Sequence, residues 1–188
     1  MKSKKKKIKS LPMQVFYTSK EETNCPLMID LVRISKKLKE RGILKEEKQA
    51  TISFSYGKRV LINSLVQDYS QIKRSELLEI VDYDPIKNNL LVMGLAEPLI
   101  ETSIHYMIHH ARKEVKVVLQ INEEEMFEKM KNNISILKND YPINSIEFIK
   151  DVLKYLKDTK IIGLKEDRVL FVGKDIKEIE KLIKEIQK

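Results

Sequence analysis

The spacing of apolar residues changes along this chain from the period of a helix to that of a strand and back. Apolar residues recur every three or four positions at about residues 24–42, 98–112, 123–133, 145–158 and 174–188. Short alternating or continuous apolar segments lie between them, at residues 49–63, 76–94, 114–122 and 160–173. This alternation predicts one α/β domain in which helices cover the faces of a sheet.

Local signals indicate where these elements begin and end. We expect Asn24 and Ser145 to cap two helices, and Pro26 and Pro98 to lie in first helical turns. Gly57 suits the turn of a hairpin over residues 49–63. The segment at 114–122 has a continuous apolar centre, which is typical of a strand covered on both sides.

The basic residues are unevenly distributed, which bears on the partners of this chain. Removing the six lysines of the first ten residues from the net charge of +8 leaves +2 for the rest. We predict a basic, disordered tail over residues 1–20 and a folded domain over residues 21–188. Proteins that read nucleic acids usually carry basic residues on the folded surface. Non-specific phosphate contact by the tail remains an alternative, although no aromatic residue interleaves its lysines.

Other bulk features concern the compartment. The apolar segments are far too short to span a bilayer, and no apolar stretch of a signal peptide follows the first lysines. Cys25 is the only cysteine, so no internal disulfide can form. These features predict a cytoplasmic protein without membrane partners.

All three histidines lie within residues 98–122, on one predicted helix. Glu101, His105 and His109 are spaced by four residues and would form one column on that helix. Such a column could be a three-ligand metal site or the packed side of a helix. The glutamate that directly follows the first histidine in H-E-x-x-H is absent, and we favour hydrogen-bonded structural histidines. The five glycines do not cluster, so a glycine-built phosphate cradle is not expected.

Residues 98–122 resemble the class II aldolase and adducin family, whose pattern is close to P-S-S-E-T-x-x-H-x-x-I-Y-x-x-R-x-D-V-x-A-V-V-H-T-H. Here the chain has PLIET at 98–102, then His105, Ile108, Arg112 and Val115 without a gap. Further likeness lies in ATISFSYGKRVLIN, ELLEIVDYDP and IIGLKEDRVLFVGKDIKEIEKLI. The resemblance implies a three-layer αβα sandwich with a central, mainly antiparallel sheet.

The resemblance also implies a chemistry. In the family, three histidines hold zinc or another divalent ion, which stabilises an enediolate. A glutamate acts as acid and base, and Glu101 stands at its position. A glycine-asparagine loop and a serine-glycine turn hold the substrate phosphate. The subunits commonly form tetramers with sites at their interfaces.

The residues that carry this chemistry differ here. The family's metal-ligand positions fall on Gln120, Asn122 and Asp167, a set that suits zinc poorly. The phosphate-binding positions fall on the residues Ala50, Thr51, Ser64 and Leu65. The β-carbon of Ala50 and the bulk of Leu65 would crowd a phosphate against the backbone.

These departures predict a degenerate class II aldolase-like pseudoenzyme with no cofactor, acting as an assembly or binding module. It would form a homo-oligomer, a tetramer by analogy, or join an active paralogue. Two alternatives stay open. One is a metal-dependent lyase, aldolase or epimerase on a small sugar phosphate, with zinc and Glu101. The other is nucleic-acid binding through the lysine-rich tail, which we do not favour.

Overall fold

A nine-stranded sheet runs through the residues that the computed structural model describes, which are 12–44, 49–165 and 168–186. In chain order the strands are β1 Gln14–Ser19, β2 Ala50–Tyr56, β3 Arg59–Asn63, β4 Leu77–Asp84, β5 Asn89–Gly94, β6 Val117–Asn122, β7 Ser135–Ile136, β8 Ile161–Leu164 and β9 Arg168–Gly173. Their order in the sheet is β1-β5-β4-β3-β2-β6-β9-β8-β7. Only the β1–β5 and β7–β8 pairs are parallel, so the prediction of a mainly antiparallel sheet is confirmed.

Five α-helices of the described residues cover the two faces of the sheet. They are α1 Met28–Glu40, α2 Thr102–Ala111, α3 Glu124–Met130, α4 Ile146–Tyr155 and α5 Ile176–Ile186. One apolar core joins α1, α3 and α5 to one face, and a second joins α2 and α4 to the other. The three-layer αβα arrangement is therefore confirmed. None of the described helices is long and apolar enough to cross a membrane.

The helix ends show which local signals were informative. The hydroxyl of Ser145 accepts a hydrogen bond from the backbone N–H of Phe148 at 3.1 Å, as a cap should. The prediction for Asn24 was wrong, because its side chain accepts from Arg74 and caps no helix. Helix α2 begins at Thr102 rather than near residue 98, since residues 99–102 close a separate turn.

Strand β1 corrects the predicted boundary between tail and domain. Residues 14–19 pair with β5 at the edge of the sheet, and Val15 and Tyr17 pack against the second core. The hydroxyl of Tyr17 donates to the carbonyl of Ala96 at 2.9 Å. A strand forms here because its alternate residues, Val15 and Tyr17, face the core while its backbone covers the β5 edge. The lysines at positions 2–9 lie outside the described residues.

One end of the sheet brings distant parts of the chain together. The antiparallel register places the start of β2 beside the ends of β3 and β6. Asn122, the last residue of β6, lies opposite Arg168, the first residue of β9. The amino end of α2 reaches the same end of the sheet, since Glu101 contacts Arg168. The candidate functional residues lie at this end of the sheet.

Candidate functional site

At this end of the sheet, the face beneath α2 is polar. Neighbouring residues on a strand point to opposite faces, so Thr51 and Ser53 face α2 while Ile52 belongs to the other core. By the same alternation Gln120 and Asn122 of β6 also face α2. Arg168 of β9 shares that face, because the next residue, Val169, packs in the core of α1, α3 and α5.

Ser53 joins the two histidines of α2. Its Oγ lies 2.8 Å from Nδ1 of His105 and 2.9 Å from Nε2 of His109. The other ring nitrogen of His109, Nδ1, lies 3.2 Å from the carbonyl oxygen of Val115. All three side chains of this network are buried. The two imidazoles are thus hydrogen-bonded within the protein, as the packed-helix interpretation predicts, and the hydroxyl of Ser53 fills the position that both rings face.

Burial keeps both imidazoles neutral. Loss of solvation, followed by the effect of His109, lowers the pKa of His105 to about 3. Loss of solvation also lowers the pKa of His109 to about 4, although hydrogen bonds to Val115 and Ser53 oppose the shift. Each ring therefore carries one proton at neutral pH, and the network has a single order of donors and acceptors.

That order follows from the carbonyl at its end. A carbonyl only accepts, so Nδ1 of His109 donates to Val115 and its Nε2 accepts from the hydroxyl of Ser53. The Ser53 oxygen then accepts from Nδ1–H of His105. Nε2 of His105 is left as a bare lone pair, and it has no hydrogen-bond partner among the described residues.

Three further buried polar atoms near the same end of α2 have no partner within the described parts of the chain. They are the hydroxyl oxygens of Thr51 and Thr102 and the amide oxygen Oε1 of Gln120. Thr51 and Gln120 lie directly opposite each other across β2 and β6, and Thr102 is one helical turn before His105. Buried polar atoms are normally hydrogen-bonded, so this cluster can take water or a small polar molecule.

Glu101, which the sequence resemblance predicts as an acid/base residue, is held in an ion pair. Its Oε1 lies 3.7 Å from Nη1 of Arg168, and the side chains are only 8% and 10% exposed. The neighbouring amides of Gln120 and Asn122 bond to each other, with Nε2 of Gln120 3.1 Å from Oδ1 of Asn122. This end of the sheet therefore brings together a carboxylate, a guanidinium and two neutral amides.

This donor set does not fit a zinc ion. Of the metal-ligand positions that the resemblance predicts, Gln120 and Asn122 offer neutral amides, and Asp167 lies outside the described residues. The carboxylate of Glu101 already faces a permanent cation. In the described part of the chain, no group of three or more His, Cys, Asp or Glu residues could hold a metal.

Side chains already bond to the backbone of Ala50, a predicted phosphate-binding residue, and to that of Ile52, which follows the second predicted residue, Thr51. The N–H of Ala50 donates to the hydroxyl of Tyr69 at 2.7 Å, and the N–H of Ile52 donates to Oδ1 of Asn63 at 2.6 Å. The carbonyl of Ala50 accepts from Asn63 and Tyr69 as well. These two amides are therefore not available to cradle a phosphate.

The second pair of predicted phosphate-binding residues is also unsuited to that role. The hydroxyl of Ser64 donates to the backbone carbonyl of Glu97, and its N–H donates to the carbonyl of Glu76. Leu65 points into solvent and is 65% exposed. Neither side chain presents a free donor to an anion.

Sequence reasoning missed the roles of Ser53 and Arg168. Arg168 did leave a signal, because it begins a strand whose alternate residues, Leu170 and Val172, face a buried core. A charged residue in such an inward position needs a buried partner of opposite charge. Ser53 left no comparable signal, because its two partners are more than 50 residues away in the chain.

No family model and no curated protein sequence matches this chain, but solved structures do. An L-fuculose 1-phosphate aldolase has a TM-score of 0.66 at 15% identity, covering 87% of this chain and 85% of that chain. The L-fuculose-1-phosphate aldolase of Thermus thermophilus has a TM-score of 0.63 at 13% identity, covering 85% and 88%. An aldolase II superfamily protein from Pseudomonas syringae has a TM-score of 0.63 at 14% identity, covering 86% and 73%. The chain therefore has a class II aldolase-like fold.

Proposed function

We propose that this class II aldolase-like chain is a binding or assembly module that does not carry out zinc-dependent aldol cleavage. The observation that carries the proposal is the buried pair of Glu101 and Arg168, 3.7 Å apart. A carboxylate that removes a proton beside a carbonyl needs a neighbouring group to stabilise the enediolate. Here the guanidinium faces the carboxylate itself, and the nearby amides bond to each other.

The cluster beside this pair supports a binding role. Thr51, Thr102, His105 and Gln120 each keep one buried polar atom without a partner among the described residues. Two of these atoms, Nε2 of His105 and Oε1 of Gln120, can only accept a hydrogen bond. A neutral molecule that donates hydrogen bonds suits this set better than an anion does.

Metal content and aldol cleavage test the proposal together. Untagged protein, purified without chelator, is analysed for metals and assayed with L-fuculose 1-phosphate as the probe. We expect no stoichiometric metal and no cleavage. About one zinc, manganese or iron per chain, with cleavage that Glu101→Gln abolishes and His110→Gln retains, would overturn the proposal. That outcome would support the divergent metal-dependent lyase instead.

The tail hypothesis has its own test. The lysine-rich segment lies within residues 1–11, outside the described residues. Binding to a generic duplex is measured for the full chain and for a chain that lacks residues 1–10. Binding that falls steeply with salt and is lost in the shortened chain would support nucleic-acid binding. We expect neither result.

A further inference from the structure

Arg168 lies among the buried polar residues at this end of the sheet. It is the direct cross-strand partner of Asn122, which puts their Cβ atoms about 5 Å apart on the face beneath α2. Gln120 is two residues before Asn122 on that face and bonds to it. Glu101 reaches Arg168 from the amino end of α2. Arg168 thus contacts the carboxylate and is the cross-strand neighbour of the residue that holds one of the two amides.

The physical need for a cation here is clear. Glu101 is buried with its side chain 8% exposed, and a buried carboxylate without a partner is costly. Neutral amides cannot balance its charge. Arginine can, because its guanidinium stays protonated at any physiological pH. A divalent ion placed in the same space would meet this positive charge at close range, where the protein screens it weakly.

From these contacts we infer that Arg168 is the resident cation of the site, balancing Glu101 and excluding divalent metal ions from it. The inference rests on the proposed function, since it explains how the fold keeps this site without a metal. It assigns Arg168 a positioning and exclusion role. It also predicts that changing the two amides to histidine does not by itself create a zinc site.

Zinc binding by engineered histidines tests the inference directly. Gln120→His and Asn122→His are made together, with Arg168 kept, replaced by Met, or replaced by Lys. The Met variant leaves two imidazoles and Glu101 without the guanidinium, and a His₂Glu set is a donor set that suits zinc. We expect about one zinc per chain there. We expect at least about tenfold weaker zinc binding in the variants that keep a cation, Arg or Lys.

Titration calorimetry with zinc alone gives the zinc affinity of each untagged variant. Circular dichroism first verifies that each variant is folded. Equal zinc affinity with Arg168 kept and with Arg168→Met would overturn the inference. Failure of the proposed function gives a different result, which is stoichiometric metal in the unmodified chain. If the natural chain holds no metal but the double-histidine variants bind zinc equally with Arg168 and with Met at position 168, only the role of Arg168 is contradicted.

A second measurement does not depend on the histidine variants. Melting temperatures are compared for Arg168→Met, Arg168→Lys and the pair Glu101→Gln with Arg168→Met. We expect Arg168→Met to lower the melting temperature most, because it leaves a buried carboxylate unbalanced. The double variant and the lysine variant should recover part of that loss. An equal loss in Arg168→Met and in the double variant would contradict charge balance by Arg168.

Discussion

At the scale of single residues, the hydroxyl of Ser53 holds two buried imidazoles in one order of hydrogen bonds. His105 donates to Ser53, Ser53 donates to His109, and His109 donates to the carbonyl of Val115. A second proton on either ring would place a charge in the core, and on His109 it would also remove the acceptor of the Ser53 hydroxyl. The network is therefore stable only while both histidines are neutral.

This requirement predicts that stability falls as the pH drops below about 6.5. Unfolded histidines take up protons near their ordinary pKa of 6.5, whereas the folded ones have pKa values of about 3 and about 4. The unfolded state thus binds more protons in this window, and each histidine costs about 1.4 kcal/mol per pH unit. Urea unfolding at pH 7.5 and 5.5 should differ by about 2–3 kcal/mol.

The exposed His110 provides the matched control for this prediction. Its ring stacks on Tyr106 at the surface, so His110→Gln should leave the pH dependence unchanged. His109→Gln should reduce the dependence by about half, because one of the two buried imidazoles is removed. A free energy of unfolding that stays constant between pH 7.5 and 5.5 would contradict the assigned protonation states.

At the scale of elements, caps and edges decide where helices and strands begin. Helix α4 starts where Ser145 binds the backbone of Phe148, whereas the side chain of Asn24 caps nothing. Ser145→Ala should therefore lower the free energy of unfolding by about 1 kcal/mol. Asn24→Ala, the matched control, removes only an exposed bond to Arg74 and should change it little. Urea unfolding measures both, and equal effects would contradict the assignment of the cap.

At the scale of the whole molecule, apolar side chains are exposed at the same end of the sheet as the buried polar cluster. Leu65 follows β3, Leu95 follows β5, and Ile100 precedes α2, with exposures of 65%, 51% and 49%. The bond from Ser64 to Glu97 ties these segments together. Exposed apolar groups that collect in one place are typical of an interaction surface.

We therefore predict self-association through this end of the sheet, in keeping with the homo-oligomer expected from the sequence. Light scattering after size exclusion should show an oligomer for the natural chain. Leu65→Lys with Leu95→Lys should shift it toward monomer, because two charges would have to be buried. Ile86→Lys is the control, since Ile86 is 74% exposed at the β4–β5 turn, on the opposite end of the sheet. A natural chain that is monomeric at all concentrations would contradict the prediction.

Much of the fold could be predicted from the chain itself, because it depends on local periodicity. Residues 28–40 form a helix and residues 50–63 a hairpin, as their apolar spacing predicts. The predicted tail, residues 1–20, included residues 14–19 of β1, because a short edge strand next to a lysine-rich segment is hard to distinguish from a tail. Strand β7, two residues long, was missed because a pair of residues carries no period.

The sequence by itself determined the order of helices and strands, the resemblance in fold, and the absence of histidines at the expected ligand positions. Those properties are local, or depend on residue identity alone. Only the tertiary structure decided that Ser53 bonds to two histidines, that Arg168 balances Glu101, and that the backbone near Ala50 is already bonded. Each of these contacts joins residues far apart in the chain. The pairing of β2 with β6 and of β6 with β9, together with the packing of α2 on this face, brings them together. Which distant strands pair is not specified by any local pattern.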